Sequence, residues 1–81
     1  MKEIATVFYI GGHLIGVIFD DKKSLAVNMH PFIKESDNPL ITQYLNKEKF
    51  KNFTFDKYGV YWDNDMSVSA EWCYQRARST P

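Results

Sequence analysis

From Ile4 to Ile10 nearly every residue is β-branched, aromatic or apolar, Gly11-Gly12 follows, and a second such run continues from His13 to Phe19. Two runs of this kind joined by a glycine pair specify a β-hairpin, because glycine reaches the positive φ of a tight primed turn without a Cβ clash. Side chains alternate between the two faces of a strand, so Ile15, Val17 and Phe19 share one face while Leu14 and Ile18 fall on the other. In the first run Ile4, Thr6, Phe8 and Ile10 oppose Ala5, Val7 and Tyr9. Both faces are therefore apolar, which is more than a one-sided antiparallel sheet needs. A chain of 81 residues has few helical residues left to cover a second face. The hairpin is thus expected to meet a second copy or a protein partner through Val7, Tyr9, Leu14 and Ile18. The alternative is that a final helix packs on that face through Trp72.

The rest of the chain completes an α+β domain. Asp20-Asp21-Lys22-Lys23 is a charged turn, after which Leu25, Val27 and Met29 alternate with Ser24, Ala26 and Asn28 as a third antiparallel strand. Pro31 ends that ladder because it lacks the N–H that pairing requires. Asn38 caps a short amphipathic helix with Pro39 at its first position, and Leu40, Ile41, Tyr44 and Leu45 form its apolar face. Residues 46–51 read as one exposed helical turn pinned by Phe50 and poorly separated from that helix. A second hairpin is expected from Phe53 and Phe55, a turn at Lys57-Tyr58-Gly59, and Val60-Tyr61-Trp62, with Val60 and Trp62 inward and Tyr61 outward. Ser69 caps a last helix from about Ala70, with Arg76 and Arg78 at the negative end of its dipole.

The expected architecture is an antiparallel β-meander plus a second hairpin with two or three short helices, forming one domain over residues 1–78, with residues 79–81 frayed. Its expected core is Phe8, Ile15, Val17, Phe19, Leu25, Val27, Leu40, Leu45, Phe50, Phe55, Val60 and Trp62.

The order of Ile15, Val17, Phe19 and Asp20, then Val27-Asn28-Met29, Pro31, Pro39-Leu40, Leu45, Phe50, Tyr61-Trp62 and Met66-Ser67-Val68-Ser69 leading to Tyr74 resembles the family called domain of unknown function 2442. The resemblance runs from about Leu14 to Tyr74 and rests on order and spacing of core and turn residues. Asp21-Lys22-Lys23 stands where a glycine turn is usual, Asn28 where an aspartate is, and Asp63 where a proline often follows the tryptophan. The resemblance implies a small bacterial α+β domain, alone or joined to a helix-turn-helix domain, for which this chain has no room. It brings no catalytic residues. Because members are often encoded beside a second small protein, in an arrangement similar to toxin and antitoxin pairs, it also implies a protein partner.

Charge and motif spacing narrow the function classes. Ten basic residues balance ten acidic ones, so the whole-molecule field does not steer the chain to nucleic acid or to an acidic membrane. No run approaches the ~20 apolar residues of a membrane helix, and the start of the sequence lacks the regions of a secretory signal. With one cysteine no internal disulfide forms, and the cytoplasm is the expected compartment. His13, His30 and Cys73 lack the close paired spacing of a zinc site, and no cofactor or small-molecule substrate is evident. Cys73, beside Trp72 and Tyr74, reads as a small buried hydrophobe rather than a nucleophile, so the chain is expected not to be an enzyme. Asp20-Asp21 and Asp63-Asn64-Asp65 read as solvated turns, since the glycine and distal glutamate of a calcium loop are missing.

Lys47, Lys49 and Lys51 with Tyr58 and Tyr61 make the basic and aromatic mixture that stacks single-stranded bases, diluted by Glu48 and Asp56. The leading expectation is a non-enzymatic protein-binding module, acting with a neighbouring-gene partner or as a homodimer. A nucleic-acid-binding accessory of a bacterial regulatory or toxin-antitoxin system is the alternative.

Overall fold

The computed structural model describes residues 3–63 and 65–78, with side chains described as far as Gln75. Two three-stranded antiparallel meanders, β1 (Ile4–Gly11), β2 (Leu14–Phe19), β3 (Ser24–Asn28) and β4 (Thr54–Asp56), β5 (Gly59–Trp62), β6 (Met66–Ser69), each keep sequence order. Between them run the short helices α1 (His30–Lys34), α2 (Pro39–Thr42) and α3 (Lys47–Phe50), and α4 (Ala70–Arg78) closes the chain. The fold is therefore α+β. The Ile4 amide donates to the Lys57 carbonyl at 2.9 Å and joins the first sheet to the turn of the second. Among the described residues no helix is long and apolar enough to cross a membrane.

The first hairpin closes on Gly12-His13, with Gly11 paired to Leu14. Only the first of those two loop residues has positive φ, 57° at Gly12, which is the demand a glycine meets. Strict alternation misassigns β1 because the strand carries a bulge. Ile4 pairs with Phe19 but Thr6 with Ile18, so one extra residue, Ala5, sits on β1 and inverts the facing of everything after it. Ile4 faces the core, and so do Val7 and Tyr9, opposite Val17 and Ile15. Phe8, expected in the core, points outward.

The third strand buries Val27 and half-buries Leu25, and Met29 continues inward beyond its end. Pro31 then does more than end the ladder. It occupies the first turn of α1, a helix that goes unread in the sequence and that buries Ile33. Asn38 Oδ1 accepts from the Leu40 amide at 3.0 Å, as expected of the α2 cap. The expected apolar face then fails, because the helix tightens into a 3-10 turn over Gln43–Leu45. With a larger rotation per residue only Tyr44 is buried, Ile41 is half-buried, and Leu40 and Leu45 are exposed. Asn46 is extended and caps α3 through Oδ1 to the amides of Glu48 and Lys49, so the two helical segments are distinctly separated. Phe50 is fully buried, as expected.

In the second sheet Val60 and Trp62 face the core and Tyr61 faces away. Phe55, also expected inside, lies on the three-residue edge strand β4 and stays exposed, while Phe53 takes the inward position with its ring 5.8 Å from Trp62. The hairpin extends to a third strand, β6, paired with β5 and absent from the expected second hairpin. Ser69 Oγ accepts from the Trp72 amide at 3.0 Å and caps α4. The expected roles of Arg76 and Arg78 fall on side chains outside those described, and fraying of residues 79–81 falls outside the described residues.

Helix α4 packs on the core side. Cys73 and Ala70 are buried, Tyr74 meets the core residue Phe19 edge-on at 5.2 Å, and Trp72 packs on Phe32 at 5.4 Å. Trp72 thus does not cover the outer face of the first hairpin.

Candidate interaction surface

The outer face of the first sheet is built by β1–β3. After the bulge, Thr6 and Phe8 of β1 stand opposite Ile18 and Gly16 of β2, a second register shift at Ile10 pairs Gly11 with Leu14, and β3 adds exposed Ser24, Ala26 and Asn28. Phe8 is 45% exposed, Ile10 47% and Leu14 36%, while Ile18 and Thr6 are half-buried. The tip of the Phe8 ring lies over Gly16, where any Cβ would overlap it, so the missing side chain seats the ring. None of the three strands contains Asp, Glu, Lys or Arg, in a chain that is 25% charged. Of the four hairpin residues expected at an interface, Leu14 and Ile18 lie on this face. Val7 is buried and Tyr9 packs inward against Phe50 at 6.2 Å, so both belong to the core instead, for the reason the bulge supplies.

At the other end of the hairpin, His13 is held in place. Its Nε2 lies 3.0 Å from the carbonyl oxygens of both Tyr44 and Leu45, and two acceptors require that this nitrogen carry the proton. The ring also stands 5.1 Å from Phe50 and 5.3 Å from His30. The two histidines, distant in sequence, are thus neighbours, and His13 ties the hairpin turn to the 3-10 turn.

The basic and aromatic residues form a looser set. Lys47, Lys49 and Lys51 ride on α3 and its cap, and Lys51 Nζ pairs with Glu48 Oε2 at 2.9 Å. Tyr58 and Tyr61 belong to the second sheet and its turn, and the cation over the Tyr58 ring is Lys57, at 5.1 Å. Tyr61 donates its hydroxyl to Asp56 Oδ1 at 2.8 Å, which sets a carboxylate beside the ring and disfavours a phosphate there. Asp56 also accepts from the amides of Tyr58 and Gly59 at 2.8 and 3.1 Å. The Tyr58 amide first, then the Tyr61 hydroxyl, hold its carboxyl below the ordinary value of 3.8, and the same bond raises the Tyr61 phenol. A depressed carboxyl contributes stability that is present above its unfolded value and lost as pH falls through its folded one. In an NMR titration the Asp56 midpoint is expected below 3.8, and Tyr61→Phe is expected to move it upward. A midpoint unchanged by Tyr61→Phe would contradict this geometry.

Two further groups are engaged. Tyr44 donates toward the Trp62 carbonyl and Asp65 Oδ2, both at 3.2 Å, and burial together with Asp65 pushes its phenol up to about 12. Asp65 also accepts from Gln43 at 3.1 Å, so it braces the 3-10 turn against the β5–β6 connection. A shallow depression of about 270 Å³ beside it is lined by Tyr61, Asp63, Asp65, Met66 and Ser67. Asn64 of the acidic run lies outside the described residues, and among those described no three His, Cys, Asp or Glu gather as metal ligands. Cys73 is buried, and desolvation pushes its thiol up to about 12. The thiolate is the reacting form, so a thiol reagent at neutral pH is expected to label the native chain very slowly and the urea-unfolded chain completely. Fast native labelling would show that Cys73 is accessible.

A family model described as protein of unknown function (DUF2442) matches residues 4–79, nearly the whole chain. No curated protein and no solved structure matches it.

Proposed function

The chain belongs to the DUF2442 family, and from that premise we propose that it is a non-enzymatic protein-binding module whose working surface is the outer face of the first sheet. One observation carries the reading. Phe8 and Ile10 on β1 and Leu14 on β2 stand exposed on two paired strands that contain no Asp, Glu, Lys or Arg. Exposed apolar area gains free energy when it leaves water, roughly 25 cal/mol per Å², and a contiguous patch of it marks an interaction site. The nucleic-acid reading has less support, because an uncharged face releases no counterions and the lysines on α3 are partly neutralised by Glu48.

Photo-cross-linking in the native cell tests the proposal. A photoreactive phenylalanine analogue in place of Ile10 is expected to capture a protein, and the same analogue in place of Ser67, on the polar outer face of the second sheet, is expected not to. Equal capture at both positions, or none at Ile10, sinks the reading.

A further inference from the structure

We infer that His13 and His30 form a two-histidine site for a divalent zinc ion. Their spacing in the sequence does not announce it, and the fold brings them together. The Met29 amide donates to the His13 carbonyl at 2.9 Å, which carries the β2–β3 pairing one step past Leu14 and Asn28 and sets the start of α1 beside the hairpin turn. The two rings then stand 5.3 Å apart. His13 is half-buried and His30 exposed, so the pair lies at the surface, where an ion can reach it. Imidazole nitrogen is a ligand type that suits zinc, copper and nickel.

The proton on His13 decides which of its atoms binds. Nε2 donates to the Tyr44 and Leu45 carbonyls, each at 3.0 Å, so in the neutral ring the lone pair sits on Nδ1. A metal-ligating histidine as a rule donates its other ring N–H to such a carbonyl, which fixes the tautomer and makes the binding nitrogen more basic. His13 has that arrangement, and Phe50, standing edge-on at 5.1 Å, helps to hold the ring. His30 is engaged through its backbone amide, which donates to Asn28 Oδ1 at 3.0 Å. Among the described residues neither His13 Nδ1 nor the His30 ring has a hydrogen-bond partner, so no bond breaks when an ion enters.

Distance selects the ion. With Zn–N at about 2.0–2.1 Å and the nitrogen about 1.2 Å from the centre of its ring, an ion lies ~3.2 Å from each centroid. Two rings on a tetrahedral ion, ~109° apart, then have centroids ~5.2 Å apart, whereas neighbouring ligands in a square plane bring them to ~4.5 Å. The observed 5.3 Å is the tetrahedral value, which zinc takes and square-planar copper or nickel does not. Among the described residues no third His, Cys, Asp or Glu joins the pair, so two positions fall to water and the ion is held less tightly than at a four-ligand structural site.

The test is isothermal titration of the tag-free chain with zinc chloride in a non-chelating buffer, comparing the natural sequence with His30→Ala and, as a control in the acidic turn after β5, Asp63→Asn, each checked for an unchanged far-UV spectrum. The natural chain and Asp63→Asn are expected to bind one ion per chain with the same affinity, and His30→Ala to raise the dissociation constant by about tenfold or more. A second readout needs no variant. In an NMR titration of the natural chain, zinc is expected to shift the His13 Nδ1 resonance while Nε2 keeps its proton. A natural chain that shows no saturable binding would overturn the inference, as would a His30→Ala chain that binds equally well or a His13 Nδ1 that does not respond.

Discussion

Trp62→Ala is expected to unfold the domain. The ring is fully buried, stacked on Phe50 at 5.5 Å and flanked by Phe53 and Tyr44, and its Nε1 donates to the Phe50 carbonyl at 2.6 Å. Truncating a buried Trp costs about 3–5 kcal/mol through lost transfer energy and the cavity left behind. A small domain sits near the low end of the roughly 5–15 kcal/mol by which proteins are stable, so that loss consumes most of what holds it. The damage also reaches α3, whose last residue supplies the carbonyl that the indole satisfies. Trp62→Phe keeps most of the packing but leaves that carbonyl without its donor, at about 1–3 kcal/mol. Urea unfolding followed by far-UV circular dichroism separates the two variants. A folded, undiminished Trp62→Ala protein would mean that the ring is not in the core.

Gly59→Ala is expected to destabilise by about 1–3 kcal/mol, even though the residue lies beside a turn and the change is a single methyl group. A Cβ there would stand 2.5 Å from the Val68 carbonyl oxygen, 3.5 Å from Ser69 Cα and 3.4 Å from the Tyr61 hydroxyl. The first two are backbone of the neighbouring strand, paired with β5 in register, and cannot move without disturbing the sheet. Gly16→Ala is the instructive contrast. There the new Cβ meets only the tip of the exposed Phe8 ring, which can swing into solvent, so stability is expected to change by no more than about 0.5 kcal/mol. Equal losses at the two glycines, read from urea midpoints, would show that the strand glycine at 16 is held by backbone as well.

That contrast also marks where the sequence is informative. The strands β1–β3, β4 and β5 are legible because alternation and turn chemistry are local, and the caps at Asn38 and Ser69 are legible because a side chain two or three residues from an amide specifies the hydrogen bond. The bulge at Ala5 is not legible, since a register shift is a property of the pair of strands and nothing in β1 alone announces it. It exchanges Val7 and Tyr9 for Phe8 and Ile10 on the exposed face, so of the four hairpin residues expected at an interface Leu14 and Ile18 face outward while Val7 and Tyr9 face the core. Leu40 and Leu45 fail for a related reason. An α-helical period fits Leu40, Ile41, Tyr44 and Leu45, but α2 ends at Thr42 and the chain passes into a 3-10 turn held by Asp65 and His13 from distant parts of the chain, so the four do not form one continuous buried face. The strand β6 escapes because Met66-Ser67-Val68-Ser69 is four residues of weak alternation after an acidic turn, and it is fixed by pairing with β5. Gly59 reads as a turn residue, whereas its role is the close approach of Val68. The family resemblance is legible throughout, because it depends on the order of core residues and not on which face each one occupies.

The central claim, that the outer face of the first sheet is an apolar interface, is tested most directly by the solution mass of the unmodified chain. Light scattering would be recorded at several protein concentrations in low and in high salt. An interface without charge predicts a mass that rises toward two chains with concentration and does not fall when salt is added. A dimer that salt dissolves would contradict it, as would a one-chain mass under every condition together with no protein captured at Ile10.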